Sequence, residues 1–272
     1  MKTGKDRLLV APSTRTQSRV VLYEATQRPS KRTGAWQVTS YGRVRVTGRL
    51  GQRHADLVEA ICACAEKARG VPDGGVELLV DPYRVRRCMS GGHGQYSYQR
   101  LHALLFDLRA AIIEIETPDL ERRGEKAIGG LIDHWLPTAS APDPLHGHTE
   151  RRLWRVRLGT LLVMLLRADA PLWRDPAPLA ALESGVSQAL ARHVLTQAIS
   201  AQPPGGWWLD TLLKAVGVGD GASRRKARMA VRSDVGGLAK LGIRIVGRDR
   251  IQIGAEDGIS VPQRPGGVED GT

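Results

Sequence analysis

The period of the hydrophobic positions changes repeatedly along the chain, and each change marks an element. Residues 19–26 and 36–50 are rich in β-branched side chains with stretches of alternation, as in Arg43-Val44-Arg45-Val46. The turn-forming Gln27-Arg28-Pro29-Ser30 separates them, so a pair of strands is expected. Over 54–69, Leu57, Val58, Ile61, Cys62, Ala65 and Ala68 share one helical face, which predicts an amphipathic helix stopping near Gly70 and Pro72. Residues 76–80 read as a short strand. Asp81-Pro82 then supplies an N-cap and a first-turn proline for a helix over 82–89. After the turn Ser90-Gly91-Gly92-His93-Gly94, Ser97 stands where it can cap a helix whose Leu101, Leu104, Leu105 and Leu108 repeat at the three-and-four spacing of a buried stripe. Residues 112–117 alternate as a strand. The charged segment 119–126 and the apolar stretch 127–135 complete a strand, loop and return strand.

The second half opens after 136–150, a segment with three prolines and few large apolar residues that reads as a linker. A strand over 151–158, an apolar segment over 161–166 and a brief strand at 172–174 follow. Val186, Leu190, Val194 and Ala198, with Ala191, Leu195 and Ile199 beside them, form a helical stripe that ends before Pro203-Pro204-Gly205-Gly206. Asp210 is placed to cap a helix over 211–216, and Ser223 to cap an arginine-rich helix. Residues 243–246, 247–250 and 251–253 read as strand, turn and strand. Gly236 and Gly237 work against an unbroken arginine-rich helix, since glycine inside a helix costs ~1 kcal/mol relative to alanine.

Both halves thus repeat one order: helix, short strand, Asp-capped helix, glycine-containing turn, Ser-capped helix, β-hairpin. This is the order of a winged helix. The expected fold is α+β and predominantly helical, with two tandem winged-helix domains carrying small β-hairpin wings. The expected divisions are a mobile basic arm at 1–18, domains at 19–135 and 151–254 joined by the 136–150 linker, and a disordered tail at 255–272.

Charge sharpens this picture. The 272 residues include 40 Lys and Arg against 28 Asp and Glu, a formal charge of +12. The excess is segregated: residues 1–53 hold 12 basic and 2 acidic side chains, residues 221–254 hold 9 and 2, and residues 54–220 hold 18 and 20. Such segregation suits a polyanion contacted at defined places, double-stranded DNA above all. The three cysteines, Cys62, Cys64 and Cys88, have neither a disulfide framework nor zinc spacing. The apolar runs fall short of the ~20 residues a spanning helix needs, so no membrane partner and a bacterial-type cytoplasm are expected. No GxxxxGK[ST] phosphate loop occurs. His146-Gly147-His148 sits in the proline-rich linker without a thiol or acidic cluster, which fits neither a metal site nor a nicking enzyme. A binding protein is therefore expected, with no catalytic residues, metal or cofactor.

The residues expected to meet DNA follow from the winged-helix logic, in which the second capped helix enters the major groove and the hairpin grips backbone. In the first half these are Ser97, Tyr98, Gln99 and Arg100 at a helix start, Arg84, Arg86 and Arg87 on the preceding helix, and Arg122 and Arg123 in the wing. In the second half they are Ser223, Arg224, Arg225, Lys226, Arg228 and Arg232 on the reading helix, and Arg248 and Arg250 at the hairpin tip. Val231, Val235 and Leu238 are expected to face the core.

The stretch 208–253, with Asp210, the Ser/Arg/Lys-rich segment 223–232, Leu238, Gly242 and the paired strands ending at Ile253, resembles the C-terminal domain of plasmid replication initiators of the IncQ type. Residues from about 45 onward, through LLVDPYRV and YSYQRLHALLFDLRAAIIEI, are similar to their N-terminal winged helix in order and length. The resemblance implies binding to directly repeated origin sequences (iterons), opening of an adjacent AT-rich region, and recruitment of a helicase and primase; a weak homodimer is a further expectation. A winged-helix transcriptional repressor would carry the same local features.

Overall fold

In the computed structural model, which describes residues 11–90, 96–138, 141, 142 and 150–254, the buried apolar side chains gather into two cores. The first runs from Val20 to Leu165 and the second from Leu179 to Ile253. The architecture is mixed α/β with several small antiparallel sheets, in place of the expected predominance of helix. In chain order the elements used below are α1 Arg15–Arg19, β1 Arg32–Val38, β2 Arg43–Gly48, α2 Gln52–Ala63, β3 Ala65–Gly70, β4 Val76–Val80, α3 Pro82–Met89, α4 Tyr98–Ala110, β5 Ile112–Glu116, α5 Pro118–Arg122, β6 Ala127–Gly129, β7 Ile132–Pro137, β8 Trp154–Leu158 and α6 Thr160–Ala168. The second unit adds α7 Ala177–Ala180, α8 Gly185–Val194, β9 Trp207–Trp208, α9 Leu209–Ala215, α10 Ala222–Ser233, α11 Val235–Ala239, β10 Ile243–Val246 and β11 Arg250–Ile253.

Local signals placed several of these elements. Asp81 caps α3 by accepting from the Tyr83 amide at 2.8 Å, with Pro82 in the first turn. Ser97 caps α4 by accepting from the Arg100 amide at 3.2 Å, and Leu101, Leu104, Leu105 and Leu108 are buried as a stripe. Other expectations are corrected. The helix expected over 54–69 ends at Ala63, because residues 65–70 are drawn out as the edge strand β3 beside β4. Residues 19–26, expected to be a strand, form none: Arg19 ends the helix α1, and Glu24 makes an isolated bridge to Gly51; the strand expected over 36–50 is a hairpin of β1 and β2. The charged segment after β5 is the short helix α5, which Thr117 caps and Pro118 opens. The apolar 161–166 lies within α6.

The largest correction concerns the boundary. In the first unit β1-β2-β5-β6 form one sheet and β3-β4-β8-β7 the other. Strand β8 pairs on one side with β4, Trp154 opposite Val80, and on the other with β7, Trp154 opposite Pro137. Residues 151–168 therefore belong to the first core, and 136–150 bridges two neighbouring strands of one sheet instead of joining two domains; of it, residues 139, 140 and 143–149 lie outside the described residues. Residues 11–18, expected to lie in the mobile basic arm, are instead packed against the fold. Residues 1–10 lie outside the described residues, as do the turn residues 91–95 and the tail at 255–272. Ala11, Ser13, Thr14, Thr16 and Gln17 are buried, and Ser13–Thr14 pairs with Pro171–Leu172.

The second unit follows the order α8, β9, α9, α10, α11, β10, β11, with sheet order β9-β11-β10. The first unit has the same sheet order in β4-β8-β7, following α2 and enclosing α3 and α4. Its hairpin equivalent to β10–β11 is thus β7–β8, whereas β5 and β6, linked through α5, belong to the other sheet.

The units meet along α2 and α8. Gly185, the first residue of α8, sits so close to the other unit that an added Cβ would fall 2.5 Å from the Thr26 backbone. Gly185→Ala is therefore expected to destabilise the protein by ~1–3 kcal/mol, the usual range for overpacking, as read from urea denaturation. An unchanged midpoint would mean that the joint yields freely.

At the start of α2 the buried His54 ring accepts the Gly51 amide on Nδ1 at 3.1 Å and faces Asp107 Oδ2 at 3.3 Å through Nε2. The proton therefore resides on Nε2 and the ring is neutral. Burial holds its pKa below the ordinary value, against the opposing pull of Asp107. The unfolded chain thus binds a proton more readily, and stability present above about pH 6.5 is lost as pH falls towards the lower folded value. His54→Gln can make the same two hydrogen bonds without titrating. Its melting temperature is expected to fall less than that of the parent between about pH 7 and 5; parallel curves would exclude His54 as the titrating group.

Candidate nucleic-acid interface

The first candidate face lies at the ends of α3 and α4. In α3, Pro82, Val85 and Met89 are buried, which leaves Tyr83, Arg84 and Arg87 exposed and Arg86 half-buried. The Arg86 guanidinium lies 5.4 Å from the Tyr83 ring centroid and 4.8 Å from that of Tyr98, and so bridges α3 to the first turn of α4. Arg87 approaches Tyr83 at 6.0 Å, and Arg100 packs over Tyr96 at 5.0 Å. Ser97, Tyr98, Gln99 and Arg100 are all exposed. Among the described residues, Arg84, Arg86, Arg87 and Arg100 make no ion pair, so their charge is directed to solvent. Aromatic contacts orient guanidinium groups without neutralising them.

Arg122 and Arg123 are not part of this face. Arg122 pairs with Asp119 one turn away, and Arg123 donates to the Ala168 carbonyl at 3.0 Å. No hydrogen bond, ion pair or ring contact among the described residues joins them to α3 or α4. The wing expected there is the α5 connection, and its arginines are spent on local contacts.

The second face is built on α10 and the β10–β11 turn. Ala227 and Val231 anchor α10 to the core. Its N-cap is Gly221, at φ +66°, and Ser223 lies exposed in the first turn without a capping bond, contrary to expectation. Asp210 likewise does not cap α9, whose N-cap is Trp208; it sits within the first turn and takes a forked pair of bonds from Arg228, one of them at 2.6 Å from Nε. That pairing holds the Asp210 carboxyl below the usual range and raises Arg228. Arg232 donates to Asp249 and to the Arg248 carbonyl, both at 2.9 Å, and fixes the hairpin turn against the helix. Arg224 pairs with Asp220 at 2.7 Å. Arg250 stacks 3.4 Å from the exposed Trp208 ring and donates to the Gly206 carbonyl at 2.9 Å.

The arginines expected to act alike therefore divide. Arg224, Arg228, Arg232 and Arg250 are held in place by partners within the unit. Arg225, Lys226 and Arg248 are exposed and make no side-chain ion pair or hydrogen bond among the described residues. The helix breaks at Asp234, whose carboxylate accepts the Glu183 and Ser184 amides, both at 3.0 Å, where α8 begins. Val231 and Leu238 are buried as expected, but the break turns Val235 outward, 49% exposed. Trp208 was not anticipated as part of this face; the signal available was the paired Trp207-Trp208, of which alternation on a strand buries only one.

Among the described residues no group of three or more His, Cys, Asp or Glu side chains is arranged to hold a metal, and no helix is long and apolar enough to cross a membrane. His146 and His148 lie outside the described residues.

As a whole, the chain is like a solved structure in fold. The chain is similar to domain 2 and domain 3 of RctB, in a crystal structure of selenomethionine derivatives, with a TM-score of 0.52, 8% identity, and coverage of 89% of this chain and 95% of that one. At such identity the likeness is one of fold. No family model and no curated protein matches the chain.

Proposed function

We propose that this protein is a sequence-specific double-stranded DNA-binding replication initiator that works by binding and not by catalysis. The observation that carries the reading is the α10 face, where free Arg225 and Lys226 stand beside a hairpin turn locked by Arg232 and Asp249. An α-helix with unpaired cations at its start and a cationic turn at its flank suits a major groove with phosphates alongside. The sheet orders β9-β11-β10 and β4-β8-β7 support reading both units as winged helices, with α10 and α4 as the groove-facing helices. The likeness to RctB, a replication initiator, favours initiation over transcriptional repression. That the targets are direct repeats of an IncQ-type origin, with an AT-rich region opened nearby and a helicase and primase recruited, rests on the sequence resemblance.

The test is functional. DNA flanking the gene is cloned into a circle with no other working origin, and the protein is supplied in trans. Transformants that depend on the protein support initiation. Specific binding without transformants, at a palindrome over a promoter, would replace it with repression.

A further inference from the structure

We infer that Arg192 is a positioning residue for DNA recognition: by locking α8 to α2 it fixes the spacing at which the two candidate faces engage DNA, and so makes that spacing part of the specificity. This rests on the proposed function, in that both faces must contact one duplex.

Interfaces between units of one chain usually permit relative motion unless they are large and apolar. The joint here is instead a buried charge cluster with directional bonds. Arg192 Nη2 donates to Asp56 Oδ1 at 2.6 Å and to Glu59 Oε2 at 2.9 Å, Nε donates to Glu59 Oε1 at 3.1 Å, and Nη1 donates to Gln52 Oε1 at 2.8 Å. One helical turn earlier on α8, Gln188 donates to Asp56 Oδ2 at 3.1 Å. Arg174, from the connection between the cores, donates to Glu59 at 2.6 Å, and Arg53 joins Asp56 to the Ala180 carbonyl. The Arg192, Asp56 and Glu59 side chains are at most 4% exposed.

A planar fork facing two fixed carboxylates tolerates little rotation. Sliding α8 along α2 by one residue would leave a carboxylate buried without its counter-charge, which is far costlier than sliding one apolar stripe over another. Further contacts close the joint on other sides. Arg19 donates to Thr196 and Gln197, and Gln27 donates to the Glu183 carbonyl at 3.0 Å. Each locked helix also packs directly on a candidate face: α2 against α3 and α4, α8 against α9 and α10. The cluster therefore lies one helix away from both faces, so a change in the crossing angle of α2 and α8 carries each face with its helix and alters their relative placement.

The experiment selects bound DNA from a pool of random duplexes of roughly 40 base pairs, about four helical turns, using the full-length chain. The parent is compared with the triple variant Asp56→Asn, Glu59→Gln, Arg192→Met, in which Arg174 and Arg53 keep their charge and whose fold is checked by thermal melting, and with Arg192→Lys, which keeps the charge but loses the fork. The parent is expected to recover two sub-motifs at one spacing. It should disfavour an offset of about 5 base pairs, half a helical turn, by roughly a hundredfold. Both variants are expected to recover the same sub-motifs over several spacings, with that preference reduced to about tenfold or less. If a folded variant keeps the sharp single spacing, the role of Arg192 is overturned while the function stands; Arg192→Lys decides this should the triple variant not fold. If the parent itself recovers no motif, or only one, the two-face reading of the function is overturned instead.

Discussion

Arg192→Ala is expected to destabilise the protein by about 3–5 kcal/mol, more than any other single substitution at the joint. The substitution removes the counter-charge shared by Asp56 and Glu59, both on α2 and both buried, and leaves Gln52 without its donor. Burial by itself pushes the Glu59 carboxyl up. Arg174 and Arg192 outweigh that and hold it below its ordinary value. Without Arg192 the balance tips towards protonation, so the loss is expected to be largest near neutral pH and smaller in acid. In the parent, the stability Glu59 contributes is present above its unfolded pKa and is lost as pH falls through the lower folded value. The triple variant used for the spacing experiment removes both carboxylates together with Arg192, so no buried carboxylate is left unpaired, while Arg174 and Arg53 lose their ion partners; it is expected to lose less stability than Arg192→Ala. Urea denaturation of the two variants at pH 7 and pH 5 checks this. A loss below about 1 kcal/mol for Arg192→Ala would show that the cluster is hydrated and the joint loose.

Arg225→Ala is expected to weaken specific DNA binding by about 1–3 kcal/mol, roughly 5- to 150-fold, and to relax selectivity at one position of the site. Arg225 is exposed on α10 with no acidic partner among the described residues, so its fork is available to a base edge or phosphate. Arg228 and Arg232 share its face, but each is already bound to a carboxylate, Asp210 and Asp249. Their alanine variants are expected to act through the orientation of α10 against α9 and the hairpin, and so to lower stability as well as binding. Arg248→Ala should weaken binding to all sequences alike and reduce the slope of affinity against salt by about one counterion. Titrations by fluorescence anisotropy at several salt concentrations, paired with melting curves, distinguish these outcomes. Full binding by Arg225→Ala and Arg248→Ala together would remove α10 and the turn from the interface.

Elements whose beginning and end are written in adjacent residues were readable before the fold was seen. Asp81-Pro82 and Ser97 start α3 and α4 as their side-chain chemistry requires, and the leucines of α4 face inward at helical spacing. The strands around Gly247 also lie where alternation puts them. Elements chosen by a distant partner were not readable. Residues 65–70 extend the helical periodicity of α2, yet pairing with β4 makes them a strand. The proline-rich stretch at 136–150 looks like a linker because its local composition favours no regular structure, whereas its position is dictated by β7 and β8 pairing across it.

The candidate site shows the same division. Which segments carry excess positive charge is a property of composition, and α10 lies in one of them, whereas the arginines of α3 and α4 stand in the stretch 54–220, which has no basic excess, and were reached from the order of the elements. Which arginines are free is not, since it depends on whether an acidic group from another element arrives within hydrogen-bonding distance. Asp210 and Asp249 do so for Arg228 and Arg232, and nothing among the described residues does so for Arg225. The α2 acids are the extreme case. Nothing in the local spacing of Asp56 and Glu59 marks them as buried, and only the docking of α8 covers that face and answers it with Arg192.

The sequence by itself determined the starts of α3 and α4, the apolar stripes and the places where positive charge accumulates, because caps, periodicity and composition act over a few residues. The tertiary structure alone decided the division between the two cores, the strand partners, the joint at Arg192 and the set of unpaired arginines. Each of these depends on groups distant along the chain, brought together by burial, where hydrogen bonds and charges must be satisfied by whatever is packed against them.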